Sequence, residues 1–216
     1  MNETARDMAL PEEQAKRQTS AVILDAAFRI LARDGFQALT ARNVATEAGT
    51  NLALVNYYFG GKKGLLLALY DHLETQRFER QTALYADANE PLSVKWRQAV
   101  EYYKRDLDEG FVRVHHELLA QGFADDELAE RARRRISNWS SMLTQVADTY
   151  LGDLGVTVPP AQLVAVFAAF WYGMEQQHLI GMPESESPFF GVLGSIGSWL
   201  ETTEQAARAA AGETED

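Results

Sequence analysis

From about residue 20 to residue 200, apolar positions recur three and four residues apart, the period of an α-helix. Ile23, Ala27, Ile30 and Leu31 stand at i, i+4, i+7 and i+8, which predicts a first helix from about Gln18 to Asp34. Gly35 is placed to stop it, with Phe36 folding back in a Schellman ending. Val44, Ala45 and Ala48 mark a short second helix, Ala41 to Ala48, which Thr40 can cap. Gly49 follows where a helix is most easily stopped. Thr50 or Asn51 can then cap a third helix from Leu52 to about Phe59. Beyond Gly60-Gly61, Leu65, Leu66, Leu69 and Leu73 carry a fourth helix to about Tyr85.

The same period continues. Pro91 opens a helix bearing Trp96, Val100, Tyr103 and Leu107, which ends at Gly110. Phe111 to Gln121 is the next. A long helix from about Asp125 to Leu151 follows, with Glu127 and Arg131, and Glu130 and Arg134, spaced for pairing at i, i+4. The helix from about Ala161 to Ile180 is apolar nearly all round its first half, so it must be covered on more than one side. Ser187 and Pro188 read as cap and first residue of the last helix. No stretch alternates like a strand, and no repeat occurs. The fold class is all-α: an N-terminal three-helix helix-turn-helix domain (16–64), then a larger C-terminal helical domain (65–208). The ends, 1–15 and 209–216, are expected to be mobile.

The functional reading starts at residues 40–64. Two short helices joined by a tight turn, with Ala45 and Ala48 allowing a close crossing, form the geometry that places a second helix in the DNA major groove. An eight-residue helix needs apolar anchors, here Leu54, Val55 and Tyr58 or Phe59. That leaves Asn51, Leu52, Ala53, Asn56 and Tyr57 for the DNA side. Asn56 has the donor and acceptor to bond the N6/N7 edge of adenine. Leu52 and Ala53 suit a thymine methyl, and the hydroxyls of Tyr57 and Tyr58 suit phosphates. Thr40 and Arg42 stand at the start of helix 2; Arg42 is either a phosphate contact or a solvated charge.

Residues 20 to 70 resemble the DNA-binding domain of the TetR family of bacterial transcriptional regulators. The resemblance rests on the joint order of Ile23-Leu24-Asp25-Ala26-Ala27, Gly35-Phe36, Thr40, Ala45, Ala48-Gly49, Tyr57-Tyr58-Phe59, Lys62 and Leu65-Leu66. It implies that Lys62 contacts a phosphate and that helix 4 carries ligand binding to the DNA end. Gly61 stands where the family often has Ser. Beyond the first third of the chain the likeness is one of length and helical pattern.

Charge changes the picture once it is divided. The chain carries a net charge of −11. Residues 14–64, however, hold 7 Lys/Arg against 3 Asp/Glu, whereas residues 65–216 hold 12 against 24. Positive potential therefore gathers where phosphates would lie. There is no cysteine, so disulfides and thiolate metal sites are excluded, and a cytoplasmic location is expected. The longest apolar run, Leu163 to Met174, is too short to cross a bilayer, and the N-terminus lacks the pattern of a secretory signal.

No phosphate loop, nucleophile elbow or zinc-protease helix occurs. His115-His116-Glu117 is the one histidine cluster, and neighbouring helical residues point about 100° apart, which does not suit a shared metal. No catalytic residue, metal or cofactor is expected. Candidate walls of a small-molecule site are Trp96, Tyr103, Phe111, His115, Trp139, Met142, Trp171, Tyr172, Glu175 and Gln176; the same residues also describe a core. Glu175, if buried beside aromatics, would favour a cationic or hydrogen-bonding ligand, with a rim salt bridge as the alternative. Leu163, Phe167, Phe170, Phe189, Leu193, Ile196, Trp199 and Leu200 are the candidate dimer contacts, in a four-helix interface about a two-fold axis. The expected partners are a double-stranded DNA operator, a second copy of the chain and a small apolar or amphipathic effector. The rival is an all-α ligand-binding protein or enzyme with an incidental helix-turn-helix.

Overall fold

A computed structural model describes residues 3–87, 89–152 and 155–212. All its regular structure is helical: α1 (Glu3–Asp34), a 3-10 turn (Phe36–Ala38), α2 (Ala41–Glu47), α3 (Leu52–Phe59), α4 (Lys62–Tyr85), α5 (Leu92–Asp108), α6 (Phe111–Gln121), α7 (Asp126–Tyr150), α8 (Pro160–Leu179) and α9 (Phe189–Gly212). The chain divides into two compact units. One runs up to Glu74 and takes in Arg113–Arg131; the other holds Thr75–Val112 and the chain from Ala132 onward. The divisions fall within α4, α6 and α7.

In the first unit, Ile23, Ala27, Ile30 and Leu31 of α1 are buried with Leu39, Val44, Ala45 and Val55. α1 packs on α2, and α2 on α3. The caps are local. Thr40 Oγ1 accepts from Asn43 N at 3.1 Å, and Asn51 Oδ1 accepts from Leu54 N at 2.9 Å. After α2, Gly49 takes φ 64°, and the bonds Thr50 N to Ala45 O and Gly49 N to Thr46 O close a Schellman ending. Gly64 makes the next corner: a Cβ there would lie 1.9 Å from the Phe59 carbonyl oxygen, so α4 can start against the end of α3 only without a side chain. Arg113 donates to Ala32 O and Arg33 O, placing a cation at the negative end of α1.

The second unit is ordered by rings. Tyr103 lies edge-on to Trp171 and Phe189, with centroids 4.7 and 5.4 Å away. α5 packs along α9. There Trp96 Nε1 donates to Leu193 O at 2.9 Å, and a Cβ on Gly197 would be 3.2 Å from Trp96 Cδ1. Thus Gly197 serves the chain's own α5. The Nζ of Lys95, itself fully buried, donates to the Asp87 carbonyl and ties down the turn before α5.

Several expectations change. α1 begins at Glu3, well before Gln18, and passes through Pro11; the apolar stripe marks only the part of the helix that is buried. Gly35 ends α1 with one bond to Leu31 O at φ 77°, ψ −178°, an extended exit in place of a Schellman motif. Ser187 spends its hydroxyl on Gln177 Oε1 at 2.7 Å. Arg131 reaches Asp71 on α4, and Glu127 reaches Lys63, so tertiary partners displace the expected Glu127–Arg131 pair. α9 runs on to Gly212, its Ala-rich end favouring helix.

Candidate nucleic-acid interface and ligand cleft

α3 has one anchored side and one open side. Val55 is 0% exposed, and burying a valine contributes about 1.5–3 kcal/mol. Leu54, Tyr58 and Phe59 are half-buried beside it. Asn51, Leu52, Ala53 and Asn56 are exposed, and Tyr57 is 72% exposed. All but one of the expected third-helix DNA residues thus share an open surface; the exception is Tyr58, packed edge-on against Tyr57 at 5.4 Å. Thr40 and Arg42 are exposed on α2. Asn51 Oδ1 is occupied by its cap, which leaves its amide nitrogen to donate.

Lys62 is less simple. Its Nζ lies 3.4 Å from Phe36 O and 3.9 Å from the centre of the Phe36 ring, and burial lowers its pKa below the usual lysine value. The remaining basic residues do not all serve one face. Arg29 and Arg33 pair with Glu47 at 2.9 and 3.3 Å, linking α1 to α2. Lys63 pairs with Asp125 and Glu127 at 2.9 and 3.1 Å. The local charge excess is therefore partly spent inside the unit, on acids that include two distant in sequence.

In the second unit a cleft with a cavity volume of about 80 Å³ lies among α4, α5, α7 and α8. Five of the expected wall residues line it: Trp96, Tyr103, Trp139, Met142 and Trp171. Phe111, His115, Tyr172, Glu175 and Gln176 do not. His115 is buried in the first unit, a half-buried Phe111 lies 5.5 Å from the Arg77 guanidinium, and Gln176 is exposed. Glu175 is 2% exposed and accepts from Trp171 Nε1 at 2.8 Å. Missing from the expected set were Arg77, Arg80, Gln81 and Leu84 of α4, and Tyr102 and Asp106 of α5. Their signal was there: 77, 80, 81 and 84 fall at i, i+3, i+4 and i+7, one face of a helix. Arg80 holds both oxygens of buried Asp106 at 2.7 and 2.6 Å.

The expected dimer residues divide. Phe189, Leu193 and Leu200 are in the core of their own unit, Leu163, Phe167, Phe170 and Ile196 are half-buried, and Trp199 is 46% exposed. Phe167 also lines the cleft. Among the described residues no group of three or more His, Asp or Glu side chains could hold a metal, and no helix is long and apolar enough to cross a membrane.

A capped three-helix unit with an open third helix, joined to a larger helical unit with an aromatic cleft, is the build of a bacterial helix-turn-helix regulator. Comparison with known proteins agrees: the family described as bacterial regulatory proteins, tetR family, matches residues 23–69. Over these residues the chain is of the TetR family. It is 38% identical over 69 residues to the transcriptional regulator BetI of Brucella canis, covering 32% of this chain and 35% of that one, so the match spans about a third of that relative's length. An HTH-type transcriptional repressor of Mycobacterium tuberculosis is 27% identical over 151 residues, 70% of this chain and 71% of that protein. Among solved structures, a transcriptional regulator from Saccharomonospora viridis in complex with choline aligns with TM-score 0.68 at 20% identity, covering 91% and 95% of the two chains. A TetR-family regulator from Agrobacterium tumefaciens aligns with TM-score 0.70 at 14% identity, over 83% and 98%. These structural likenesses concern the fold.

Proposed function

We propose that the chain is a ligand-responsive, DNA-binding transcriptional repressor, acting as a dimer on a near-palindromic operator. The observation that carries this is α3 itself. Its buried valine fixes the helix while Asn51, Leu52, Ala53, Asn56 and Tyr57 stay exposed, and beyond the Asn51 cap and the Tyr57–Tyr58 ring contact the outward face is left open. Asn56 is the adenine reader; Tyr57, Arg42 and Thr40 take phosphates, and Lys62 joins them with the donors that Phe36 O does not use. The open faces of α8 and α9 support pairing with a second copy: Ala165, Val166 and Ala169 on one, Gly194, Ser195, Ser198 and Trp199 on the other, all exposed. These exposed residues, rather than the buried Phe189, Leu193 and Leu200, form the interface.

The cleft takes the small effector. The choline held by the Saccharomonospora viridis protein supports a ligand site in this fold. Release of DNA requires that the effector bind more tightly to a state whose two α3 helices are wrongly spaced for the major groove. Selection of bound sequences from a random DNA pool at near-physiological salt tests the reading. An inverted repeat is expected; a pool that stays random would sink it. On the selected site, Asn56→Ala should narrow the preference over random DNA by about 1–3 kcal/mol, and equal losses on both would show that Asn56 reads no base.

A further inference from the structure

We infer that the cleft is built for a small organic anion, a carboxylate on an aromatic or apolar body, held by Arg77, Arg80 and Tyr103. The inference rests on the cleft being the effector site and adds what the effector must carry. Three charged side chains line the cavity: Arg77, Arg80 and Asp106. Asp106 is already engaged, both its oxygens accepting from one amino group of Arg80 at 2.7 and 2.6 Å. Glu175, the other buried acid nearby, is absent from the lining and holds Trp171 Nε1. The charge left over at the wall is positive.

The unmet hydrogen bonds point the same way. The Nε atoms of Arg77 and Arg80 and the hydroxyl of Tyr103 are shielded from solvent and have no partner in the protein. Tyr103 is 3% exposed. Buried donors of this kind are rare in folded proteins, and arginine nitrogens have no capacity to accept. A carboxylate oxygen can accept from all three, whereas a quaternary ammonium, with neither donor nor acceptor, satisfies none. Arg77 is also desolvated and stands near Arg135, and both effects lower its pKa, desolvation most, while Asp106, Glu175 and Tyr172 act to raise it. Trp96, Trp139, Phe167 and Trp171 supply faces for the body of the ligand. Aromatic walls alone would also suit a quaternary ammonium. The donors decide between the two.

The test uses the full chain without DNA and follows tryptophan fluorescence, since three of the four tryptophans line the cavity. Benzoate, benzamide and benzyltrimethylammonium are titrated at constant ionic strength. Benzoate should quench saturably and bind at least about tenfold more tightly than benzamide, consistent with the greater strength of charge-assisted bonds, and the trimethylammonium should bind most weakly. Tyr103→Phe removes one oxygen that no protein group uses, so the fold should hold while benzoate binding falls about 5- to 10-fold. Tightest binding of the trimethylammonium, no saturable binding of any probe, or a Tyr103→Phe protein that binds benzoate as tightly as the parent would each overturn the inference. The DNA selection is a separate experiment: an inverted repeat with no benzoate binding removes this site alone, and benzoate binding with a random pool removes the regulator reading alone.

Discussion

The helix-turn-helix of the first unit and the cleft of the second are shaped by hydrogen bonds of different reach. In the first, the groups that shape the helix-turn-helix find partners a few residues away: Thr40 with Asn43, Asn51 with Leu54, Gly49 with Thr46. In the second, the side chains that shape the cleft reach across the sequence. Trp96 bonds Leu193, and Arg80 bonds Asp106. A module made of local caps can be copied between proteins whole, and the family match covers that part, residues 23–69. A cleft assembled from four helices changes whenever one of them does, and the family match does not extend to it.

Three perturbations would break or sharpen this contrast. The largest effect should come from Gly64→Ala. The added Cβ meets a carbonyl oxygen at 1.9 Å, so the α3–α4 corner must move, at about 3 kcal/mol of stability in the first unit. Thermal unfolding and operator binding should both suffer, while benzoate binding in the second unit persists; an unchanged melting temperature would show that the corner is soft. Next is Val166→Glu. Val166 is 70% exposed, so the subunit should keep its helical content. A charge at a paired face should weaken the dimer by about 2 kcal/mol or more, read by sedimentation. An unaltered dimer would move the interface elsewhere. The smallest is Lys62→Ala, which should weaken binding to all DNA and reduce the salt slope by about one. Because Nζ already lies on Phe36, an unchanged slope would mark Lys62 as a packing residue.

Acid should also touch the first unit. Arg33 holds Asp34, and Arg29 holds Glu47, below their ordinary values of 3.8 and 4.5. Carboxylates depressed in the folded state stabilise it above those values, and that contribution fades as pH falls below about 4. These pairs are exposed, so added salt should blunt the effect.

The sequence alone determined the helical class, most of the helix ends, the helix-turn-helix and the open face of α3. Each follows from a period or from a residue acting on its near neighbours: Thr40 as one cap and Thr50 or Asn51 as the next, Gly49 as a stop, Val55 among the anchors. Tertiary structure decided the rest. It sent Arg131 to Asp71 and Glu127 to Lys63 in place of the expected i, i+4 pair, because a fixed partner on another helix competed with a mobile one on the same helix. It buried Phe189, Leu193 and Leu200 in their own unit and left Val166 and Trp199 outside. It brought Arg77 and Arg80 to the cleft from a helix that, read alone, showed only an amphipathic stripe. Periodicity shows that a helix has two sides, but which neighbour each side meets depends on how the helices cross, and that is set by the whole packed core.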